Sequence, residues 1–331
     1  MTNIYLIRHA EAEGNVFRRL QGQYDSLITP NGRRQIAALE ARFATIPIDA
    51  VYASDLTRTC ITAGAIYKPK KLPLHKDRRL REIGTGIWEN LPFGWLEHSD
   101  PERNRAFSHS PKTWSVEGSE PYEVYTGRFL EALHEIAGAH DGQSVAIFSH
   151  GMVLRGSLQT LFFDGRENAV AHCENTAVTH ITYENGSFSL QFLNDAGHIT
   201  PEISTLGRQM WWRGEKYKDF NMWYRDATEE DAQMLYQLGC ADGTVRVSML
   251  ADEPTGAVCV KEGVLQCFAL LPEFRGRGLS MQLLGEAISV ARAQKQRTLR
   301  LGTVPKDPAA LHVIELCGFQ NGEMNIIPCI D

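Results

Sequence analysis

The chain has 331 residues, more than one ordinary compact domain holds and a comfortable length for two. Apolar residues make up 43% and charged residues 22%, the range of a globular chain with proper cores. A formal net charge of -6 does not suit a chain that wraps polyphosphate backbones, so nucleic acid is not expected as the main partner, whereas a local basic pocket for one small anion is compatible with it.

In chain order, Ile4–Ile7 reads as a short buried strand, broken at once by Arg8 and His9. It is too short for a signal peptide, and no stretch is long enough to span a bilayer, so a cytoplasmic location without a membrane partner is expected. Thr29 is a candidate N-cap with Pro30 in the first turn, and Ile36, Leu39 and Phe43 continue at helical spacing. Ala50–Ala53 is a second strand, and Ser54-Asp55 leads into a further helix. A long helix is predicted from Glu120 to about Ala139, then a third buried strand over Ser144–Phe148. Thr176–Thr182 and Phe188–Leu193 read as two more strands joined by a turn at Asn185-Gly186. Strands alternating with helices predict a mainly parallel sheet covered on both faces.

Residues 200–224 break that rhythm with Trp211, Trp212, Arg213, Lys216, Lys218 and Trp223, a connector packed on a surface. From Arg225 a second unit begins. Its helix starts at Thr228-Glu229-Glu230-Asp231, and strands follow at Val245–Leu250, Ala257–Lys261 and Val264–Leu271. An amphipathic helix then carries Leu283, Leu284, Ala287, Ile288 and Ala291. The seven cysteines (60, 173, 240, 259, 267, 317 and 329) form no CxxC and no zinc spacing, so free or buried thiols in a reducing compartment are expected, and no metal.

The chemistry gathers at strand ends. Arg8-His9 follows the first strand, Ser54-Asp55-Leu56-Thr57-Arg58 the second, and Ser149-His150-Gly151 the third. In open α/β sheets ligands bind beyond the carboxyl ends of strands. One histidine there would more often be structural, but the pattern recurs. If the three strands are neighbours, Arg8, His9, Arg58 and His150 converge on one pocket. Such a cluster repels itself unless a dianion fills it, and phosphate oxygens match the guanidinium fork.

From Ile4 to about His198 the text resembles the histidine phosphatase superfamily, with its three-layer α/β/α phosphoglycerate-mutase-like fold. Five blocks occur in order: Arg8-His9-Ala10-Glu11 with Asn15; Leu20-Gln21-Gly22 through Thr29 and Gly32; Ser54-Asp55-Leu56 with Arg58; Leu80-Arg81-Glu82-Ile83 with Gly86 and Trp88-Glu89; and Ser149-His150-Gly151. The resemblance implies that His9 takes the phosphoryl group as a phosphohistidine, that Arg8, Arg58 and His150 hold its oxygens with Asn15 assisting, and that Glu82 is the proton donor and acceptor. Gln21, Gly22 and Gly151 complete the substrate-binding candidates. Ala10, Asn90 and Pro121 depart from the family's usual glycine, glycine and serine. The expected substrate is a small phosphorylated metabolite, with no cofactor. The modest stretch from Trp88 to Glu120 favours a phosphatase over a mutase, and a regulatory module that only binds a phosphorylated ligand is a third reading.

Arg275-Gly276-Arg277-Gly278-Leu279-Ser280 follows a strand and opens a helix, where backbone amides and the helix dipole can cradle a pyrophosphate. From about Arg225 to Phe319 the text resembles the GNAT N-acetyltransferases, a smaller mixed α/β fold, and these six residues match the family's acetyl-CoA loop. Asp307, Ala310 and Cys317-Gly318-Phe319 resemble its closing block. The family's second helix is absent here, Asp307 stands for an asparagine, and Ile314 stands for the tyrosine that protonates the leaving thiolate. Acetyl-CoA is therefore the implied ligand of this unit. Transfer to an amine acceptor and a coenzyme-sensing or structural role are both open. The predicted organisation is a phosphatase domain over 1–199, a connector over 200–224 and a GNAT-like domain over 225–331.

Overall fold

The computed structural model describes residues 1–213, 220–240 and 242–327; Lys216, Lys218 and Cys329 lie outside them. The first unit runs β1 (Thr2–Arg8), α1 (Glu13–Phe17), α2 (Pro30–Phe43), β2 (Ala50–Ala53), α3 (Thr57–Lys70), β3 (Leu74–Lys76), α4 (Phe93–Ser99), α5 (Pro101–His109), α6 (Tyr122–Ala139), β4 (Ser144–Ser149), α7 (Gly151–Phe162), β5 (Val178–Glu184) and β6 (Ser187–Asp195). Its sheet has the order β3-β2-β4-β1-β5-β6. The pairings of β1 with β4, β4 with β2 and β2 with β3 are parallel, as predicted, whereas β5 and β6 add an antiparallel edge. The β5–β6 pairing follows from the Asn185-Gly186 turn, whose two left-handed residues fold the chain straight back.

Side chains alternate across this sheet with period two. Ile4, Leu6, Val145 and Ile147 pack against Phe129 and Leu133 of α6 on one face. Ile7, Ala146 and Phe148 pack against Leu39 and Phe43 of α2 and Ile66 of α3 on the other. The result is the three-layer α/β/α arrangement. Thr29 caps α2 as expected, its hydroxyl accepting from the Gly32 amide at 2.9 Å. The register matters for function. Arg8 lies opposite Ser149, and Ala53 opposite Phe148, so the residues leaving β1, β4 and β2 emerge side by side.

The second unit runs β7 (Trp223–Asp226), α8 (Ala232–Leu238), β8 (Thr244–Leu250), β9 (Glu253–Lys261), β10 (Val264–Leu270), α9 (Ser280–Ala293), β11 (Thr298–Leu301), α10 (Pro308–Cys317) and β12 (Glu323–Asn325). The strands lie in sequence order, and only β10 and β11 are parallel. Leu283, Leu284, Ala287, Ile288 and Ala291 of α9 are buried against this sheet, as their spacing predicted. One expectation fails. Cys240 and Cys267 are joined by a disulfide with Cα atoms 5.5 Å apart, because the end of α8 is brought onto β10. Cys60, Cys173, Cys259 and Cys317 are buried free thiols.

Between the units, residues 200–213 return along the first. The Ile203 carbonyl accepts from Asn31 and Gln35 at 3.1 and 2.8 Å, which fixes the segment against α2. No helix among the described residues is long and apolar enough to cross a membrane.

Candidate active site

His9 sits where β1 ends, 4% exposed, at the floor of a cavity of about 220 Å³. Its Nδ1 lies 2.8 Å from the Ala10 carbonyl. A carbonyl only accepts, so Nδ1 carries the hydrogen and Nε2 keeps its lone pair. Burial, and then the charges of Arg58 and Arg8, push the His9 pKa well below the usual histidine value. The ring is therefore neutral at physiological pH, with a free nitrogen. These are the two properties a nitrogen nucleophile needs.

Around it stand the predicted cations. Arg8 and Arg58 line the cavity, and His150 lies fully buried beside His9 with ring centroids 5.2 Å apart. Arg58 donates to the carbonyls of Gly22 and Tyr24 at 2.6 and 2.8 Å, and Arg8 donates to the Cys173 carbonyl at 2.5 Å. His150 Nε2 is 2.9 Å from the Ser54 hydroxyl, and burial and then Arg58 lower its pKa well below the usual value. Three buried nitrogens nevertheless have no partner among the described residues: Arg8 Nε, Arg58 Nε and His150 Nδ1. Buried polar atoms are ordinarily satisfied, so this concentration at one place fits an anion with several oxygens.

Glu82 approaches from the loop before the short turn Gly86–Trp88 and lines the same cavity. Both its oxygens are fixed by amides: Oε1 accepts from Val153 and Ile83 at 2.8 and 3.1 Å, and Oε2 accepts from Met152 at 3.0 Å. Met152 and Val153 open α7, so the helix that begins at Gly151 aims this carboxyl. Two supports went unassigned in the sequence. Arg128 donates to the carbonyls of Arg79, Arg81 and Glu82, each at 2.7 Å, and pairs with Glu120 at 2.8 Å. Glu89 accepts from the amides of Gln23, Tyr24 and Thr85 and so holds the loop whose carbonyls receive Arg58. Gly22 fits that loop because its φ is +49° and a Cβ there would stand 2.2 Å from Glu89 Oε1.

The remaining candidates converge too. Asn15, Gln21, Gly22 and Gly151 all line the cavity. Asn15 Oδ1 accepts from the Ala12 amide at 3.0 Å, which orients the side chain at the start of α1. Glu11 has another task. Its buried carboxylate accepts from Thr29, Asn31 and Thr205 and pairs with Arg208 at 3.0 Å. Thr205, Leu206, Gln209 and Trp211, from the aromatic-rich connector, form part of the cavity wall, as do Asn175 and His172. The density of tryptophan in that segment was the one sequence signal of this role.

At the second site Arg275 to Gly278 form an exposed turn before α9, and Leu279 is buried beneath it. Gly276 and Gly278 both have φ of +75°, with no described residue within 4 Å of where a Cβ would stand. β10 and β11 pair only at Val264–Arg300 and Leu265–Leu301. An open, glycine-lined turn with two exposed arginines at a helix N-terminus fits a pyrophosphate.

A profile of the histidine phosphatase superfamily (branch 1) matches residues 4–196. The chain belongs to that superfamily. A profile of the GNAT acetyltransferase family matches residues 202–319, so a histidine phosphatase domain is fused to a GNAT domain. Phosphoserine phosphatase 1 of Hydrogenobacter thermophilus is 30% identical over 200 residues, 60% of this chain and 95% of that protein. A probable phosphoglycerate mutase, GpmB of Proteus mirabilis, is 27% identical over 206 residues, 60% of this chain and 96% of that one. Among solved structures, YhfR of Bacillus stearothermophilus has a TM-score of 0.57 and 32% identity, covering 60% of this chain and 99% of its own. A mycobacterial glucosyl-3-phosphoglycerate phosphatase with VO3 shares the fold at a TM-score of 0.54 and 22% identity, covering 59% and 99%.

The departures from the superfamily pattern have local explanations. Asn90 has φ of +60°, a left-handed position at which asparagine replaces glycine with little strain. Pro121 is the N-cap of α6, where its extended backbone suits the helix start. In the GNAT domain Ile314 is 4% exposed in the apolar core. Asp307 caps α10, accepting from the Ala309 amide at 3.0 Å.

Proposed function

We propose that the histidine phosphatase domain hydrolyses a small phosphate monoester through a phosphohistidine at His9, and that the GNAT domain binds acetyl-CoA. The observation that carries the first reading is the hydrogen bond from His9 Nδ1 to the Ala10 carbonyl. It leaves Nε2 as a bare nucleophile between two arginines. In the first step Nε2 attacks phosphorus, the bond to the ester oxygen breaks, and that oxygen takes a proton from Glu82. The Nδ1–H bond to Ala10 stabilises the positive charge that develops on the ring. Arg8, Arg58, His150 and Asn15 hold the phosphoryl oxygens. In the second step water attacks phosphorus and gives its proton to Glu82, the P–N bond breaks, and phosphate leaves neutral His9 behind.

Hydrolysis is favoured over mutase action because the stretch over 88–120, which carries α4 and α5, is modest in length. A mutase has to retain a diphosphorylated intermediate for re-attack. In the GNAT domain the backbone of Gly276–Ser280 and the guanidinium of Arg277 would hold the coenzyme's pyrophosphate; the coenzyme supplies an activated acetyl group. Ile314 offers no hydroxyl to a leaving thiolate, which supports binding over transfer to an amine acceptor.

The test is phosphate release from a panel of monoesters, with a chelator present, by wild type and by His9→Ala. Release that vanishes in the variant supports the phosphatase. Interconversion of phosphoglycerates without release would instead establish a mutase, and phosphate binding without either reaction a regulatory module.

A further inference from the structure

The phosphate pocket is not built by the phosphatase domain alone. Helix α1 begins four residues after His9 and carries Asn15, yet its last residue, Phe17, is buried in the apolar core of the GNAT domain beside Leu283 and Leu284. The approach is as close as side chains allow. A Cβ on Gly285 of α9 would stand 2.5 Å from both Cβ and Cγ of Phe17. Position 285 is thus bare so that Phe17 of α1 can lie against α9.

Two buried ion pairs flank this contact. Arg19, which lines the phosphate cavity, donates to Glu286 of α9 at 2.8 Å, with side chains only 10% and 8% exposed. Arg292, at the far end of α9, pairs with Glu13 of α1 at 2.9 Å and donates to the Tyr24 hydroxyl at 3.3 Å. Tyr24 is the residue whose carbonyl receives Arg58. Buried charges fix geometry strongly, since losing one partner strands the other. Gly285, Glu286 and Arg292 of α9 therefore hold the stretch 13–24, which carries Asn15 and Arg19 and whose Tyr24 carbonyl receives Arg58.

We propose that α9 of the GNAT domain is a positioning element of the phosphate site, with Gly285, Glu286 and Arg292 as its positioning residues. This rests on the reading of the His9 pocket as a phosphate site. No other chain is needed, and the role is distinct from whatever the GNAT domain binds at its own turn. Gly285 tests it most sharply. Alanine in its place favours the helix itself, so the substitution disturbs α1 without weakening α9.

The experiment is calorimetric titration of full-length protein with inorganic phosphate, beside kcat and KM for an aryl phosphate. It uses wild type, Gly285→Ala, the isosteric Glu286→Gln, and Tyr236→Ala, which alters a side chain 87% exposed on the GNAT surface. The expected result is phosphate affinity weakened at least fivefold in Gly285→Ala and Glu286→Gln, kcat lowered at least tenfold, and Tyr236→Ala unchanged. Titration stoichiometry separates positioning from folding, because unfolded chains lower the number of sites and leave their affinity as it was. Affinity and kcat within twofold of wild type in both α9 variants would overturn the proposal, as would a loss of sites with unchanged affinity. Should wild type bind phosphate yet hydrolyse nothing, the phosphatase reading fails by itself, and the affinities still decide the role of α9.

Discussion

The Thr205 hydroxyl donates to Glu11 Oε2 at 2.7 Å across 194 residues of sequence, joining the connector to the segment that follows the nucleophile. The Glu11 side chain is 2% exposed, so its carboxylate depends on such donors in place of water. Thr205→Val keeps the shape and removes the donor. The expected loss is about 1–3 kcal/mol of stability, the usual cost of stranding a buried acceptor, and urea unfolding checks it. An unchanged midpoint would mean that Arg208, Thr29 and Asn31 suffice to hold Glu11.

Glu82 gives a kinetic prediction. Its carboxyl is aimed by the Met152 and Val153 amides, and a proton donor matters most when the leaving oxygen is basic. Glu82→Gln preserves shape and hydrogen-bond acceptance at one oxygen but removes the proton. Hydrolysis of alkyl phosphates is expected to fall by about 10²–10⁴-fold, the range of general acid catalysis, and that of aryl phosphates with good leaving groups much less. Equal losses on both series would rule out the proton-transfer role.

Stability should depend on pH through the buried histidines. His9 and His150 have pKa values well below the ordinary value, and burial holds His172 down to about 3. Unfolding restores values near 6.5, so below that pH the unfolded chain binds protons that the folded chain does not. The stability is complete above about pH 6.5 and is lost as pH falls. Each such histidine contributes up to about 1.4 kcal/mol per pH unit. The thermal midpoint should therefore drop between pH 7.5 and 5.5, a window above the carboxylate range, and drop less in His150→Gln. A flat profile would show that these rings are protonated in the folded chain.

Much of this site was legible locally, and what was not legible depends on distant partners. An apolar run ending in Arg8-His9, and another ending in Ser149-His150, encode strand ends through residue period alone. Adjacency of β1 and β4 then follows from packing the fold's blocks in order. Nothing local shows that Glu11 meets Thr205, that Phe17 leaves its own domain for the core under α9, or that Cys240 meets Cys267. Periodicity states which face is apolar and is silent on what covers it. The mainly parallel sheet and its closing hairpin were both legible, the hairpin from the Asn185-Gly186 turn. What alternation did not show is the direction of β5, which follows α7 yet pairs antiparallel with β1.

The last prediction concerns the GNAT turn. Arg277 is exposed, with its guanidinium 5.1 Å from the centre of the Phe274 ring, at the mouth of an open glycine turn. A pyrophosphate there would gain from its charge as well as from the amides that open α9. Arg277→Glu replaces attraction with repulsion at the surface and gives up only the outer contact of the guanidinium with the Phe274 ring. Coenzyme A should bind at least tenfold more weakly, about 1.4 kcal/mol, with the thermal midpoint of the free protein unchanged. The difference should shrink as salt rises, because an exposed charge is screened within about 10 Å at 0.1 M ionic strength. Equal affinity in the two proteins at low salt would show that the turn does not hold the pyrophosphate, and would leave α9 with the phosphate pocket as its one assigned task.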